Sequence, residues 1–189
     1  MLMTVQDYKK TDIAFDESKF CSKLSNIFRR LKTTASDGKL EEMQPYLTES
    51  FYDKLSSQIA KRAENGIVLY TERITVLGVK ILTVESSEDT DSITADVRYR
   101  TVEYLADKKT HEFVSGDKTE DFLTAVVVLK RQAGIKTAVQ SGMTVQNCPY
   151  CGATVNINKS AKCDYCDRIL NTDSFYWLID AVAATHTDR

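Results

Sequence analysis

Two Cys-x-x-Cys pairs constrain the fold of this 189-residue chain more than any other feature. Cys148 and Cys151 form the first pair, and Cys163 and Cys166 form the second. Thiolates are soft ligands, and two such pairs supply the four sulfurs of a tetrahedral zinc site at about 2.3 Å each. The spacing predicts a ribbon over residues 145–171 that holds one structural zinc ion. Four thiolates leave no open coordination position, so this ion would have no Lewis-acid role.

The residues around the two pairs support a ribbon. Pro149 pre-sets one backbone angle of the first turn, and Gly152 permits the left-handed geometry that lets backbone amides face the sulfurs. Residues 153–162 are long enough for two short strands joined by a turn at 158–160. Asp167 stands in the second turn where glycine is usual, which is acceptable because aspartate enters left-handed turns readily. Two disulfides, or a redox dithiol, are alternative uses of the same four cysteines.

The composition argues against several classes of function. The formal net charge is −2 and the pI is near 5.8, so no global positive field attracts DNA or RNA. The predicted ribbon is itself about neutral or negative, which also argues against nucleic-acid binding. Five cysteines, four of them assigned to metal, indicate a reducing compartment. No apolar run approaches the ~20 residues that cross a bilayer and no secretory signal is present, so we expect a cytoplasmic protein.

The first third of the chain predicts helices. Residues 1–14 show no regular pattern and are expected to form an irregular arm. Asp16 has the position of a helix N-cap, and the helix after it carries an apolar stripe that includes Phe20 and Phe28. A short second helix follows, and Thr48 then caps a third.

From residue 67 onward the pattern changes to the alternation that is typical of β-strands. Residues 67–85 predict one long strand with an irregularity near Gly78. Residues 93–100 alternate apolar and polar side chains, as in a half-buried antiparallel strand. The strand over 122–131 is apolar on both faces, so it is central or one of its faces meets another surface. Residues 175–179 supply a last strand, and the chain after residue 180 is expected to be a fraying tail.

The order of these elements predicts an α+β fold in which N-terminal helices pack on one face of a curved antiparallel sheet. The ribbon lies between the last two strands, so it is an insertion rather than an appended tail. We therefore expect a main domain built from residues 15–144 and 172–183. The irregular arm at 1–14 precedes it, and the ribbon at 145–171 is inserted before its last strand.

Several segments of the chain, taken in order, resemble the Tim44-like domain family. They are residues 15–20, residues 39–48, residues 74–104 and the strand that ends at residues 128–131. The resemblance implies membership of the cone-shaped superfamily typified by nuclear transport factor two. The resemblance to a bacterial subset of the family extends further along the chain. Members of this subset have a Cys-Pro-x-Cys-Gly ribbon just before a closing aromatic strand, which is matched here by residues 175–179. The aromatic residue usual in the strand before the ribbon is represented here only by Phe122, and we expect no counterpart of the upstream membrane segment of bacterial relatives.

The resemblance implies non-enzymatic work, namely binding to an unidentified protein partner, to an anionic membrane surface, or to both. It allows peripheral attachment to the inner face of the cytoplasmic membrane. The superfamily also contains enzymes whose active site lies inside the cone. A small-molecule-binding or enzymatic cone with a purely structural ribbon is therefore the alternative, since fold alone does not decide function.

Two sets of residues outside the ribbon are candidate functional sites. The first predicted helix has a basic face made by Lys23, Arg29, Arg30 and Lys32. This face suits anionic lipid or an acidic partner, although a solvated surface is the simpler explanation. Tyr99 and Glu103 share the inward face of a strand and form a candidate ligand pocket, although packing is the simpler role for the tyrosine. Neither His111 nor His186 is well placed as a catalytic base.

Overall fold

The computed structural model describes residues 1–137, 145–148, 151–156, 163–166 and 175–186. In this part of the chain the helices are α1 (Val5–Thr11), α2 (Glu17–Ser36) and α3 (Glu49–Glu64), with a short 3-10 helix at Leu40–Tyr46. The strands are β1 (Leu2–Met3), β2 (Ile67–Ser86), β3 (Thr90–Asp107), β4 (Phe113–Gly116), β5 (Asp121–Gln132), β6 (Val145–Asn147), β7 (Thr154–Asn156) and β8 (Leu178–His186).

One large antiparallel sheet organises the molecule. Its strand order is β1-β2-β3-β5-β8, and β4 pairs with the end of β3 that extends past β5. The helices contribute Phe20, Leu24 and Phe28 to one apolar core with the inward side chains of the sheet, which include Ile93 and Val97. The predicted α+β class, with helices packed on a curved antiparallel sheet and the cysteine cluster before the last strand, is confirmed.

The curvature of the sheet comes from β2. Its register against β3 shifts three times, next to Arg73, at Leu77 and at Leu82. Each shift inserts extra backbone on one strand, which bends that strand and increases its twist. The irregularity predicted near Gly78 is therefore confirmed, and β2 curls over α2 instead of running flat.

The local signals at the helix starts and in β5 are also confirmed. The Asp16 carboxylate accepts a hydrogen bond from the Lys19 amide at 2.9 Å, and the Thr48 hydroxyl accepts one from the Phe51 amide at 3.4 Å. β5 pairs with β3 on one side and β8 on the other, so it is central. Its apolar character on both faces follows from that position.

Two expectations about the chain ends are wrong. Residues 1–14 do not form an irregular arm, because β1 pairs with β2 and Thr4 caps α1 through the amide of Asp7. The expected tail after residue 180 is a strand as far as His186, paired with β5. In both places the partner strand is distant in sequence, so no local pattern marks the pairing.

A buried ionic cluster joins α1 to the sheet. The Arg131 guanidinium donates to the carboxylates of Asp12 at 2.9 Å and Asp91 at 3.3 Å, and it also contacts the Tyr8 hydroxyl. Its carbon lies 4.6 Å from the centre of the Trp177 ring. The side chains of Arg131 and Asp12 are each only 1% exposed. Such a charge is stable inside a protein only because its partners are buried with it.

Both connections to the inserted segment are anchored, one by this cluster and the other by aromatic packing. On the entry side, the Thr137 amide and hydroxyl donate to Asp12 at 3.0 and 2.8 Å. On the exit side, Phe175 and Trp177 pack against Phe20 with ring centres 5.7 and 5.8 Å away. Both ends of the insertion are therefore fixed to the helical side of the cone.

Candidate functional sites

The four cysteines that the sequence singled out converge on one point. Their sulfurs all lie within 4.8 Å of one another. The Sγ atoms of Cys148 and Cys166 are 3.6 Å apart, and those of Cys151 and Cys163 are 3.7 Å apart. A tetrahedron with metal–sulfur bonds of about 2.3 Å has sulfur–sulfur edges of about 3.8 Å. The arrangement therefore fits a metal ion held by four thiolates, and these sulfur–sulfur distances are too long for disulfide bonds.

The backbone of the first pair has the features that the sequence predicts. β6 and β7 form a hairpin around it, the Cys148 amide donates to the Ala153 carbonyl at 2.8 Å, and the Gly152 amide donates to the Cys148 carbonyl at 2.9 Å. Gly152 has φ of +73°, which is the left-handed geometry expected of glycine there. Pro149, the predicted turn at 158–160 and Asp167 lie outside the described residues.

The second pair shows how the protein prepares its ligands. Burial raises the pKa of the Cys163 thiol, but hydrogen bonds from the backbone amides of Tyr165 and Cys166, together with those to the side chains of Cys148 and Cys166, lower the pKa to about 7. Amides that face a sulfur favour its thiolate form, which is the form that binds metal. The site is therefore prepared for a cation by its backbone as well as by its sulfurs.

The interior of the cone is filled by its own side chains. Tyr99 is fully buried, and its ring meets Phe28 edge-on at 5.0 Å. Desolvation raises the pKa of Tyr99, whose hydroxyl has no hydrogen-bond partner among the described residues. Glu103 accepts hydrogen bonds from Lys32 at 2.8 Å and from Thr71 at 3.2 Å. The carboxylate is therefore engaged by its own chain.

An open cavity does exist, but at a different place. It has a volume of about 290 Å³ and lies between the end of α2, α3, the start of β2 and the end of β8. We call it the helix–sheet cleft. Its apolar lining includes Leu31, Leu55, Ile59, Ile67 and Val182, and its cationic lining is formed by Lys32, Lys54 and Arg62. Tyr99 and Glu103 are not part of its lining. No sequence signal separates the apolar residues of α3 that line this cleft from residues that only pack in the core.

The basic face of α2 is less uniform than its sequence suggests. Lys32 forms the ion pair with Glu103, and Arg30 lies 3.3 Å from Glu42. Arg29 is exposed, whereas Lys23 is half-buried and interacts within the chain. Of the two histidines, His111 forms a 2.6 Å hydrogen bond with the Tyr70 hydroxyl, and His186 is the last residue of β8.

These features define a cone-shaped α+β domain with an inserted four-cysteine cluster suited to a metal ion. A scan against protein families matches residues 3–140 to the Tim44-like domain, and the chain belongs to this family. The resemblance stated from the order of its segments is thereby confirmed.

Comparison with solved structures finds a similar protein in the crystal structure of the intermembrane space region of the chloroplast protein ARC6. The two share 14% identity with a TM-score of 0.43, over 88% of this chain and 97% of that one. Comparison with curated proteins gives no match. None of the helices in the described ranges is both long enough and apolar enough to span a membrane.

Proposed function

We propose that this protein is a non-catalytic binding module that holds a segment of a partner protein in the helix–sheet cleft. The observation that carries the proposal is the cleft itself, which is open beside a cone whose interior is packed with buried side chains such as Phe28, Val97 and Tyr99. Membership of the Tim44-like family supports an interaction role. The engagement of Glu103 by Lys32 and Thr71 leaves this carboxylate poorly placed as a general base, which favours binding over catalysis.

The chemistry of the lining specifies the kind of partner. A volume of about 290 Å³ accommodates a few side chains rather than a large cofactor. The floor is apolar, and Lys54 and Arg62 add positive charge. A segment with apolar side chains next to an acidic residue is therefore complementary to the cleft.

The ribbon has a supporting role in this proposal. We propose that Cys148, Cys151, Cys163 and Cys166 hold one zinc ion, because four thiolates at tetrahedral spacing suit zinc and leave no position open for a substrate. The ribbon at 145–171 would then be a structural insertion in a cone that includes β1 and α1 at its N-terminal end and β8 at its C-terminal end. A cytoplasmic location, with contact to the inner face of the cytoplasmic membrane, remains part of the proposal.

Site-specific photo-crosslinking in cells tests the cleft. A photoreactive residue at Gln58, which lines the cleft, should capture one defined partner segment. The same residue at Ser57, the exposed neighbour that does not line the cleft, serves as the control and should not. A Leu55→Glu substitution should abolish capture at Gln58 while circular dichroism shows an intact fold.

The captured segment decides the outcome. Peptide mapping should find apolar residues beside an acidic one. Equal capture from both positions, capture that survives Leu55→Glu, or a segment made only of basic residues would contradict the proposal.

A further inference from the structure

A row of aromatic rings lies on the face of the sheet opposite the helices. Thr71 and Glu103, a cross-strand pair, meet Lys32 on the helical side, so their neighbours Tyr70 and Tyr104 face the other way. The Tyr70 and Tyr104 rings are stacked with centres 5.5 Å apart, and the Phe113 ring of β4 lies 6.1 Å from that of Tyr104. The row is therefore separate from both the helix–sheet cleft and the cysteine cluster.

This row already holds a positive charge. The Lys118 ammonium lies 4.7 Å from the centre of the Tyr104 ring and 5.4 Å from the centre of the Phe113 ring. Both distances lie within the range in which the negative face of an aromatic ring attracts a cation. Two rings that share one ammonium have the arrangement on which aromatic cages for ammonium ligands such as methylated lysine are built.

The surrounding hydrogen bonds fix the rings and favour cation binding. The Tyr104 hydroxyl donates to the Glu72 carboxylate at 2.8 Å, and this bond raises the pKa of Tyr104. Donation to an anion makes the ring richer in electrons, which strengthens its attraction for a cation. The Tyr70 ring, stacked behind it, is held by the 2.6 Å hydrogen bond between its hydroxyl and His111.

We propose that Tyr104 and Phe113 form a binding site for the lysine side chain of a partner protein, and that Lys118 occupies this site as an intramolecular substitute. The inference rests on the proposed function, because it assumes that the chain binds proteins, and it adds a second contact on the opposite face of the sheet. The position of Lys118 indicates the class of ligand, because it shows that the two rings accept an ammonium group.

The neighbouring strand explains how a partner could deliver its lysine. All four residues of β4 are exposed, with Phe113 at 47% and Val114 at 49%. β4 pairs with β3 on one side, and no strand in the described ranges pairs with its other side. An extended segment can add to such an edge through backbone hydrogen bonds, with alternate side chains directed to one face. A lysine at the correct position of that segment would reach the rings.

Lys118 is displaceable because its contact is weak. Lys118 is exposed. An exposed contact between an ammonium and an aromatic ring favours the arrangement with the lysine on the rings over the arrangement with it in solvent by a factor of only about two to five. When an internal competitor is removed, the apparent affinity of an external ligand is multiplied by one plus that factor. The Lys118→Ala variant should therefore bind an external lysine about three- to sixfold more tightly than the unaltered protein.

NMR titration of the full chain tests the site. The probe is a blocked pentapeptide of alternating threonine and valine with a central lysine, and its matched control has norleucine in place of lysine. The lysine peptide should shift the ring signals of Tyr104 and Phe113 in a saturable way, and Lys118→Ala should increase its affinity by about three- to sixfold. Lys109→Ala, at an exposed lysine in the turn before β4, should leave the affinity unchanged. Phe113→Leu should weaken binding, and it serves as a second variant if Tyr104→Leu fails to fold.

Three results would overturn the inference. They are equal affinity of the unaltered protein and Lys118→Ala, equal binding of the norleucine peptide, and ring shifts produced by phosphatidylcholine vesicles but not by the peptide. Crosslinking at Gln58 should persist in Lys118→Ala, because the cleft lies on the other face of the sheet. Failure of this site and failure of the cleft are therefore distinguishable.

Discussion

The cone and the ribbon of this protein are stabilised by different kinds of interaction. The cone has one continuous apolar cluster that runs through all three helices and the large sheet. The ribbon has a small cluster of Cys148, Val155 and Cys163, with Cys166 packed against it. Three of these four residues are candidate metal ligands, so within the described part of the ribbon little else is left to stabilise it if an ion is removed. The cone is stable through burial, whereas we expect the ribbon to depend on coordination.

Removal of the metal should produce the largest difference between the two regions. A structural zinc contributes about 10–16 kcal/mol of combined binding and folding free energy, so Cys163→Ser or a strong chelator should unfold the ribbon. The cone should lose only about 0.6 kcal/mol, because its ends stay anchored and the free loop between them roughly doubles in length. Metal analysis should find one zinc per chain before removal, and hydrogen exchange should then rise over residues 145–156 but not over α2.

A matched cysteine gives the control for this experiment. Cys21 lies on α2 and packs against the cone, so Cys21→Ser should leave the metal content unchanged. Unfolding of the cone together with the ribbon would show that the two regions are not independent.

Disruption of the buried ionic cluster should have the next largest effect, this time in the cone. Arg131→Met keeps most of the side-chain volume but leaves the carboxylates of Asp12 and Asp91 buried without their cation. Loss of one partner of a buried pair costs about 3–5 kcal/mol. Urea unfolding followed by circular dichroism should show this loss.

Arg100 provides a surface pair for comparison. It lies 3.2 Å from Glu120, with the two side chains 42% and 34% exposed. Arg100→Ala should cost no more than about 1 kcal/mol, because water and salt already screen that pair. If Arg131→Met were as mild as Arg100→Ala, the cluster would not be the connection between α1 and the sheet that its burial indicates.

The smallest expected effect concerns the surface of the cone. If the basic face of α2 contacts anionic lipid, Arg29→Ala should weaken co-sedimentation with anionic vesicles at low salt by about 1 kcal/mol, or roughly fivefold. Chelated protein should bind as well as metal-loaded protein, since the contact would lie on the cone. A dependence on metal would instead assign lipid contact to the ribbon, and absence of binding at low salt would remove the membrane part of the proposal.

The sequence predicts best those features whose determinants are close together in the chain. The two cysteines of each Cys-x-x-Cys pair are only three positions apart. The caps at Asp16 and Thr48 likewise each need a backbone amide only three residues away. The central position of β5 also follows locally, because both of its faces are apolar. These features were all found in the places predicted.

The missed features depend on contacts between distant residues. Asp12 and Arg131 are 119 positions apart, and neither shows in the sequence that it is buried beside the other. α1 has only seven residues and one buried aromatic side chain, so its stability comes from the sheet and not from its own pattern. The cleft was missed for a related reason, since Leu55 and Ile59 line a gap whose other side is formed by β2 and β8.

The irregular path of β2 has a consequence for the behaviour of the protein in solution. A straight strand of this length at the border of a sheet is a template on which other chains can assemble, because its backbone groups have no partner within the molecule. In the described part of the chain, β1 covers only the Val84 and Glu85 end of that border. The three register shifts interrupt the regular spacing of the remaining donors and acceptors. The same distortions that shape the cone thus also discourage fibre formation.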